Sequence, residues 1–284
     1  MLEQIFLLDN AFLHAMQSFS GPALDTAMKA ITLLGNPVFW ILIAAFLYWQ
    51  GREKNSFHLI TVMALSALFA GLVKNIFMRP RPSPQEFNVI GTDSFETFSF
   101  PSGHATLISS IFFFMRKKLS AILQIVFVIA IVLVSFSRMY LGLHYLSDVI
   151  AGLVLGAIIG SAYFAFVQRA KKTLHLSNAR DNIAIIILLA VAIIFVGWLS
   201  SVPLGTALIG YYLGFFLLKR IGLHEKKLSG RKHLLKQLLG FIGLGLIAGT
   251  IIFLPDFQII EYGFIGFWIS FLWPAIFEQA IGHD

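Results

Sequence analysis

The chain has 284 residues, 58% hydrophobic and only 12% charged, with a mean hydropathy of +0.83. A soluble domain carries about a quarter charged residues, so a water-soluble globule is excluded, and the high apolar content excludes disorder. The lack of cysteine removes disulfide-stapled secreted domains, thiolate nucleophiles and cysteine metal sites. The net charge of +7 does not indicate nucleic acid, because the basic residues sit in short loops between long apolar runs. The fold class that remains is all-α, a polytopic transmembrane helical bundle.

Crossing about 30 Å of hydrocarbon takes about 20 apolar residues. Residues 1–35 fall short of that. Glu3, Asp9, His14, Asp25 and Lys29 interrupt their apolar face, so two N-terminal interfacial amphipathic helices are expected, separated by Gly21-Pro22. No secretory signal is read there, since the first basic residue is Lys29. About nine spans follow, near 36–50, 57–78, 102–115, 119–140, 147–168, 182–200, 203–218, 237–254 and 259–277. The third and seventh are short enough to be tilted or partly re-entrant.

Loop charge gives an orientation. One set of loops holds Arg52, Lys54, Arg116 to Lys118, Arg169, Lys171, Lys172, Arg180 and the basic run between Lys219 and Lys236, which makes 16 of the 21 basic residues. The other set holds Lys29, Lys74, Arg79, Arg81 and Arg138. Positive charge marks the cytoplasmic side, so residues 1–35, 79–101 and 139–146 are expected outside and the C-terminus inside. Glycines spaced by four, at 152, 156 and 160, at 210 and 214, and at 245 and 249, predict close helix packing.

Three outward segments carry ionisable groups that are costly at a membrane boundary unless they have work to do. The first runs from Lys74 to Arg81-Pro82, where Pro80 and Pro82 end the helix; alone it is explained by snorkelling. The second is Pro101-Ser102-Gly103-His104. Its helix N-terminus offers unpaired amides to an anion, although an ordinary serine cap with a surface histidine fits that segment as well. The third runs from Ser137-Arg138 to His144 and Asp148. The last two are one helical turn apart, so the carboxylate can fix the imidazole tautomer and leave the other nitrogen nucleophilic. Arg138 adds a fork suited to phosphate oxygens. Together, three cations, a helix N-terminus, two histidines and an aspartate suit phosphoryl transfer without a metal or cofactor.

These segments resemble, letter for letter, the K-x6-R-P, P-S-G-H and S-R-x5-H-x3-D signatures of the type-2 phosphatidic acid phosphatase superfamily, over about residues 57–160. The resemblance implies a metal-independent membrane phosphatase acting through a phosphohistidine. It assigns His144 as nucleophile, His104 as general acid and Asp148 as the orienting carboxylate. It assigns phosphate binding to Lys74, Arg81, Arg138 and the amides near Ser102 and Gly103. Arg79 is expected to be a supporting or headgroup contact. Phe87, Phe95, Phe98 and Phe100 are read equally as a lid and as packing under their loop. The common membrane form has six spans with an ordinary first crossing, and this chain departs from it at both ends.

The expected organisation is therefore interfacial helices over 1–35, a catalytic transmembrane core over 36–168 and an additional C-terminal transmembrane module over 169–284. The expected function is removal of phosphate from a polyprenyl diphosphate, phosphatidate, phosphatidylglycerophosphate or sphingoid phosphate at the outer face of the cell membrane. Lipid phosphotransfer by the same site, and a non-enzymatic lipid transporter or scaffold with a relic pocket, are the alternatives. The expected partners are the lipid phosphate and membrane lipids, with no nucleic acid; homo-oligomerisation is left open.

Overall fold

The computed structural model describes residues 2–90, 97–173, 202–222, 230–253 and 255–281. Every regular element among them is helical. In chain order the main ones are α1 (Leu2–Gln17), α2 (Pro22–Thr32), a 3-10 turn (Leu33–Gly35), α3 (Pro37–Trp49), α4 (Glu53–Phe77), α5 (Gly103–Met115), α6 (Ala121–Tyr140) and α7 (Leu146–Thr173). Then come α8 (Val202–Arg220), α9 (Gly230–Phe253) and α10 (Gln258–Phe267), and a π turn (Trp268–Leu272) leads into α11 (Trp273–Ile281).

Six of these stretches are long and apolar enough to cross a membrane: α4, α6, α7, α8, α9 and the run from α10 through α11. A seventh arises if α2 and α3, bent by 51°, count as one broken span. The seventh expected span is α8, whose 19 residues make it somewhat longer than expected and long enough to cross. The sixth, 182–200, lies outside the described residues. The third is α5, whose 13 residues reach only about 20 Å. Nine of them are buried, so α5 is an interior helix shielded from lipid by its neighbours.

The chain divides into two compact units, residues 1–40 with 65–177, and residues 41–64 with 178–284. In the first, α5 lies along α7. A Cβ on Gly152 would stand 2.6 Å from the Ser102 carbonyl, and Gly156 and Gly160 meet the Thr106 and Ser110 carbonyls in the same way. The glycine stripe therefore lets two backbones touch. Ser110 shares a hydroxyl bond with Ser66 of α4, and Ser109 donates to the Leu153 carbonyl, so the polar groups of this interior helix are satisfied. α6 exposes Ile122, Ile125, Ile129 and Val132 along one face, as a lipid-facing stripe should.

In the second unit α8 packs on α10 and the π turn through Gly210, Gly214 and Gly266. Tyr211 and Tyr212 of α8 bond to Ser56 and Thr61 of α4. Tyr48 and Trp49 donate to the Ser270 and Ile269 carbonyls of the π turn. The expected packing at Gly245 and Gly249 is not found: an added Cβ at either would meet no described atom.

Candidate active site

Lys74 ends α4 and Arg138 ends α6, while His104 opens α5 and Asp148 opens α7. An up-and-down order of four helices thus delivers all four residues to one pole of the first unit. Two bonds between segments fasten that pole. Arg81 Nη1 donates to the Leu143 carbonyl at 3.0 Å, and the Ser102 amide donates to the Asp148 carbonyl at 2.9 Å.

Around His144, Nδ1 faces Asp148 Oδ2 at 3.6 Å and Nε2 lies 3.4 Å from Arg81 Nη1. Both His144 and Asp148 are fully buried. Asp148 Oδ2 also accepts from the Tyr145 amide at 2.9 Å, which fixes the carboxylate against the start of α7. Around His104, Nε2 lies 3.5 Å from Arg138 Nη1, and the same Nη1 donates to Thr32 Oγ1 at 2.9 Å. Gly35 backs this group: a side chain there would stand 3.0 Å from His104 Cβ and 2.7 Å from Val134. Lys74 Nζ donates to the Phe98 carbonyl, and Arg81 also binds Thr97 through its carbonyl and hydroxyl.

Ser102 holds the N-cap position of α5 without a capping bond. Its buried hydroxyl has no hydrogen-bond partner among the described residues. With the Ser102 amide spent on Asp148, the main-chain donor nearest the helix start is that of Gly103. All eight residues singled out from the sequence, Lys74, Arg81, Ser102, Gly103, His104, Arg138, His144 and Asp148, thus lie at one helix pole. Of the loop phenylalanines, Phe87 is buried with Leu13, Ala105, Met139 and Val149, which makes it packing and not a lid. Phe95 lies outside the described residues.

Sequence reasoning missed the partners supplied by residues 1–35. Asp9 binds Arg79 at 2.7 Å and accepts from the Ser147 amide and hydroxyl. Asp25 accepts from the Tyr140 hydroxyl at 2.6 Å, Gln17 bonds both ways to the main chain of Asn88, and Thr32 holds Arg138. Arg79 stacks over Tyr145 at 4.2 Å. Burial pushes the Tyr145 phenol up, with the Arg79 charge pulling the other way, so the ring beneath the cation stays neutral.

Residues 55–172 match the PAP2 superfamily, and residues 202–281 match the transmembrane extension of PAP2 superfamily phosphatases. The chain thus carries a PAP2 superfamily domain followed by a PAP2 transmembrane extension. It is 26% identical over 210 residues to a dihydrosphingosine 1-phosphate phosphatase of Schizosaccharomyces pombe, covering 69% of this chain and 50% of that protein. It is 28% identical over 185 residues to a lipid A 1-phosphatase of Rhizobium etli, covering 54% and 78%. The crystal structure of a PAP2-type phosphatidylglycerolphosphate phosphatase from Bacillus subtilis superposes with a TM-score of 0.51 at 25% identity, covering 60% of this chain and 90% of that one. The chain spans half the length of the yeast relative. The helices after residue 201, which carry no signature residue, thus correspond to an extension described for PAP2 superfamily phosphatases. This PAP2 protein is a multi-pass membrane protein.

Proposed function

We propose that this chain is an integral membrane lipid phosphatase that works through a phosphohistidine on His144. The observation that carries the reading is the setting of one imidazole: Nδ1 faces the Asp148 carboxylate while Nε2 faces the Arg81 guanidinium. A phosphoryl group attached at Nε2 would lie against that fork.

The chemistry then divides into two displacements. His144 Nε2 attacks phosphorus, the bond to the lipid oxygen breaks, and His104 gives that oxygen its proton. Water next attacks the phosphohistidine, His104 takes its proton, the P–N bond breaks and phosphate leaves. Lys74, Arg81, Arg138, the Gly103 amide and the Ser102 hydroxyl hold the non-bridging oxygens. In exchange, Lys74 and Arg81 release the neutral Phe98 and Thr97 acceptors, and charge-assisted bonds replace ordinary ones. These donors meet the charge that develops at phosphorus without a metal.

The substrate is a phosphate monoester or diphosphate of a lipid, in keeping with relatives named for a sphingoid phosphate and lipid A. The remaining features of the reading are about nine spans with interfacial α1 and α2, a catalytic core over 36–168 and an added module over 169–284. The site faces outward, with the C-terminus in the cytoplasm.

His144→Ala, purified in detergent, is expected to release no phosphate from phosphatidate, phosphatidylglycerophosphate, undecaprenyl diphosphate or sphingoid phosphate while keeping the wild-type melting temperature. Wild-type turnover is expected to persist in excess chelator. Hydrolysis by the alanine variant near the wild-type rate would end the phosphohistidine proposal. Transfer of the phosphoryl group to a lipid hydroxyl instead of water would make the protein a phosphotransferase.

A further inference from the structure

We infer that Asp9, on the first helix, is a positioning residue for the His144–Asp148 pair and acts through Arg79; this rests on the phosphohistidine reading. The guanidinium of Arg79 lies between two carboxylates. Nη1 donates to Asp148 Oδ1 at 2.8 Å, and Nη2 donates to Asp9 Oδ2 at 2.7 Å. Ser147 closes the group: its hydroxyl accepts from Arg79 Nη1 and donates to Asp9, and its amide donates to Asp9 Oδ1 at 2.9 Å. The Phe6 and Tyr145 rings cover the guanidinium at 4.9 and 4.2 Å. Asp9 and Asp148 side chains are 3% and 0% exposed, and Arg79 is 12% exposed. Both terminal nitrogens of Arg79 donate to this network.

The reason for Asp9 is charge balance. Asp148 must remain an anion for the His144 imidazole to bear the positive charge that builds up when Nε2 attacks. A guanidinium 2.8 Å from that carboxylate by itself cancels its charge, and in a buried site the cancellation is felt at full strength. The second carboxylate restores it. Asp9, Arg79 and Asp148 together carry one negative charge, and His144 sits against it. The other charged groups facing this cluster are Arg81, 3.4 Å from His144 Nε2, Lys74 acting on Asp148 from α4, and Glu86 acting on Tyr145. All three remain in place in the variants below.

The experiment uses the full-length protein in detergent and compares wild type, Asp9→Asn, Asp9→Glu and the double variant Asp9→Asn/Arg79→Gln. In Asp9→Asn the cluster becomes neutral. The acid limb of the pH–rate profile, which reports the free His144, is expected to move down by about one pH unit, while kcat falls roughly tenfold to a hundredfold and KM changes little. Asp9→Glu keeps the charge and the wild-type limb. The double variant restores one net negative charge on Asp148 and brings the limb back. An Asp9→Asn protein with an unmoved limb would overturn the proposal, as would a limb left displaced in the double variant; a merely structural Asp9 would lower activity and melting temperature without moving either. The same comparison by ¹⁵N NMR of the His144 ring, assigned with His144→Gln, does not need turnover. If wild type hydrolyses no lipid phosphate, the phosphatase reading fails, while unequal ring titrations still uphold the charge coupling and equal ones refute it.

Discussion

The hydroxyl of Ser102 is buried at the head of α5, caps nothing and has no partner among the described residues. Leaving such a group unpaired costs about 1–3 kcal/mol, so its presence calls for a ligand that the protein alone does not supply. Ser102→Ala is therefore expected to separate stability from binding. The melting temperature should hold or rise, because the unpaired group is gone. Inhibition by orthovanadate or inorganic phosphate should weaken roughly tenfold to a hundredfold, the ~1.5–3 kcal/mol of a hydrogen bond to a charged group. A fall in melting temperature with unchanged inhibition would return Ser102 to an ordinary structural role. The motif residues were legible because each signature names its own chemistry. Asp9 was not, although a carboxylate in the middle of an apolar helix of a membrane protein is itself costly. Its partner lies 70 residues away, and no local spacing encodes that distance. Thr32 and Gly35 were invisible for the same reason: each takes its meaning from Arg138 or His104 across the bundle.

Helix existence could be read from apolar run length, but depth in the bundle could not. α5 and α8 both read as short, yet one is an interior helix of 13 residues and the other a crossing of 19. An interior helix and a lipid-facing one are both apolar all round, so periodicity does not tell them apart. Glycine spacing was informative where the opposite helix also presents backbone. Gly152 meets the carbonyl of the α5 N-cap and Gly156 and Gly160 meet carbonyls of α5, whereas Gly245 and Gly249 meet nothing described. Gly156→Leu is therefore expected to destabilise the protein by about 1–3 kcal/mol. It should also cost activity, since α5 carries His104 and α7 carries Asp148 and the side chain would force the two apart. Gly249→Leu is expected to change stability by less than about 0.5 kcal/mol. Thermal unfolding in detergent, read alongside phosphate release, checks both; equal effects at the two sites would mean that the α5–α7 contact does not hold the site together.

At the scale of the whole molecule the question is which side of the membrane the site faces. In the sequence, sixteen basic residues fall in or beside one set of loops and five in or beside the other, and the structure shows what holds most of the five. Four of the five are engaged at the site: Lys74 on the Phe98 carbonyl, Arg79 between two carboxylates, Arg81 on Leu143 and Thr97, and Arg138 on Thr32. Their presence is explained by chemistry, which leaves Lys29 as the one basic residue on that side not engaged in this way. Set against the other basic residues, this is the ground on which the positive-inside rule supports the proposed outward-facing site. The chain lacks cysteine, so single introduced thiols report cleanly. In intact cells a membrane-impermeant maleimide is expected to modify Gln85→Cys, in the exposed loop after α4, and to reach Lys117→Cys, between α5 and α6, only after permeabilisation. The reverse labelling pattern would turn the site to the cytoplasm, and the substrate would then be drawn from the inner leaflet.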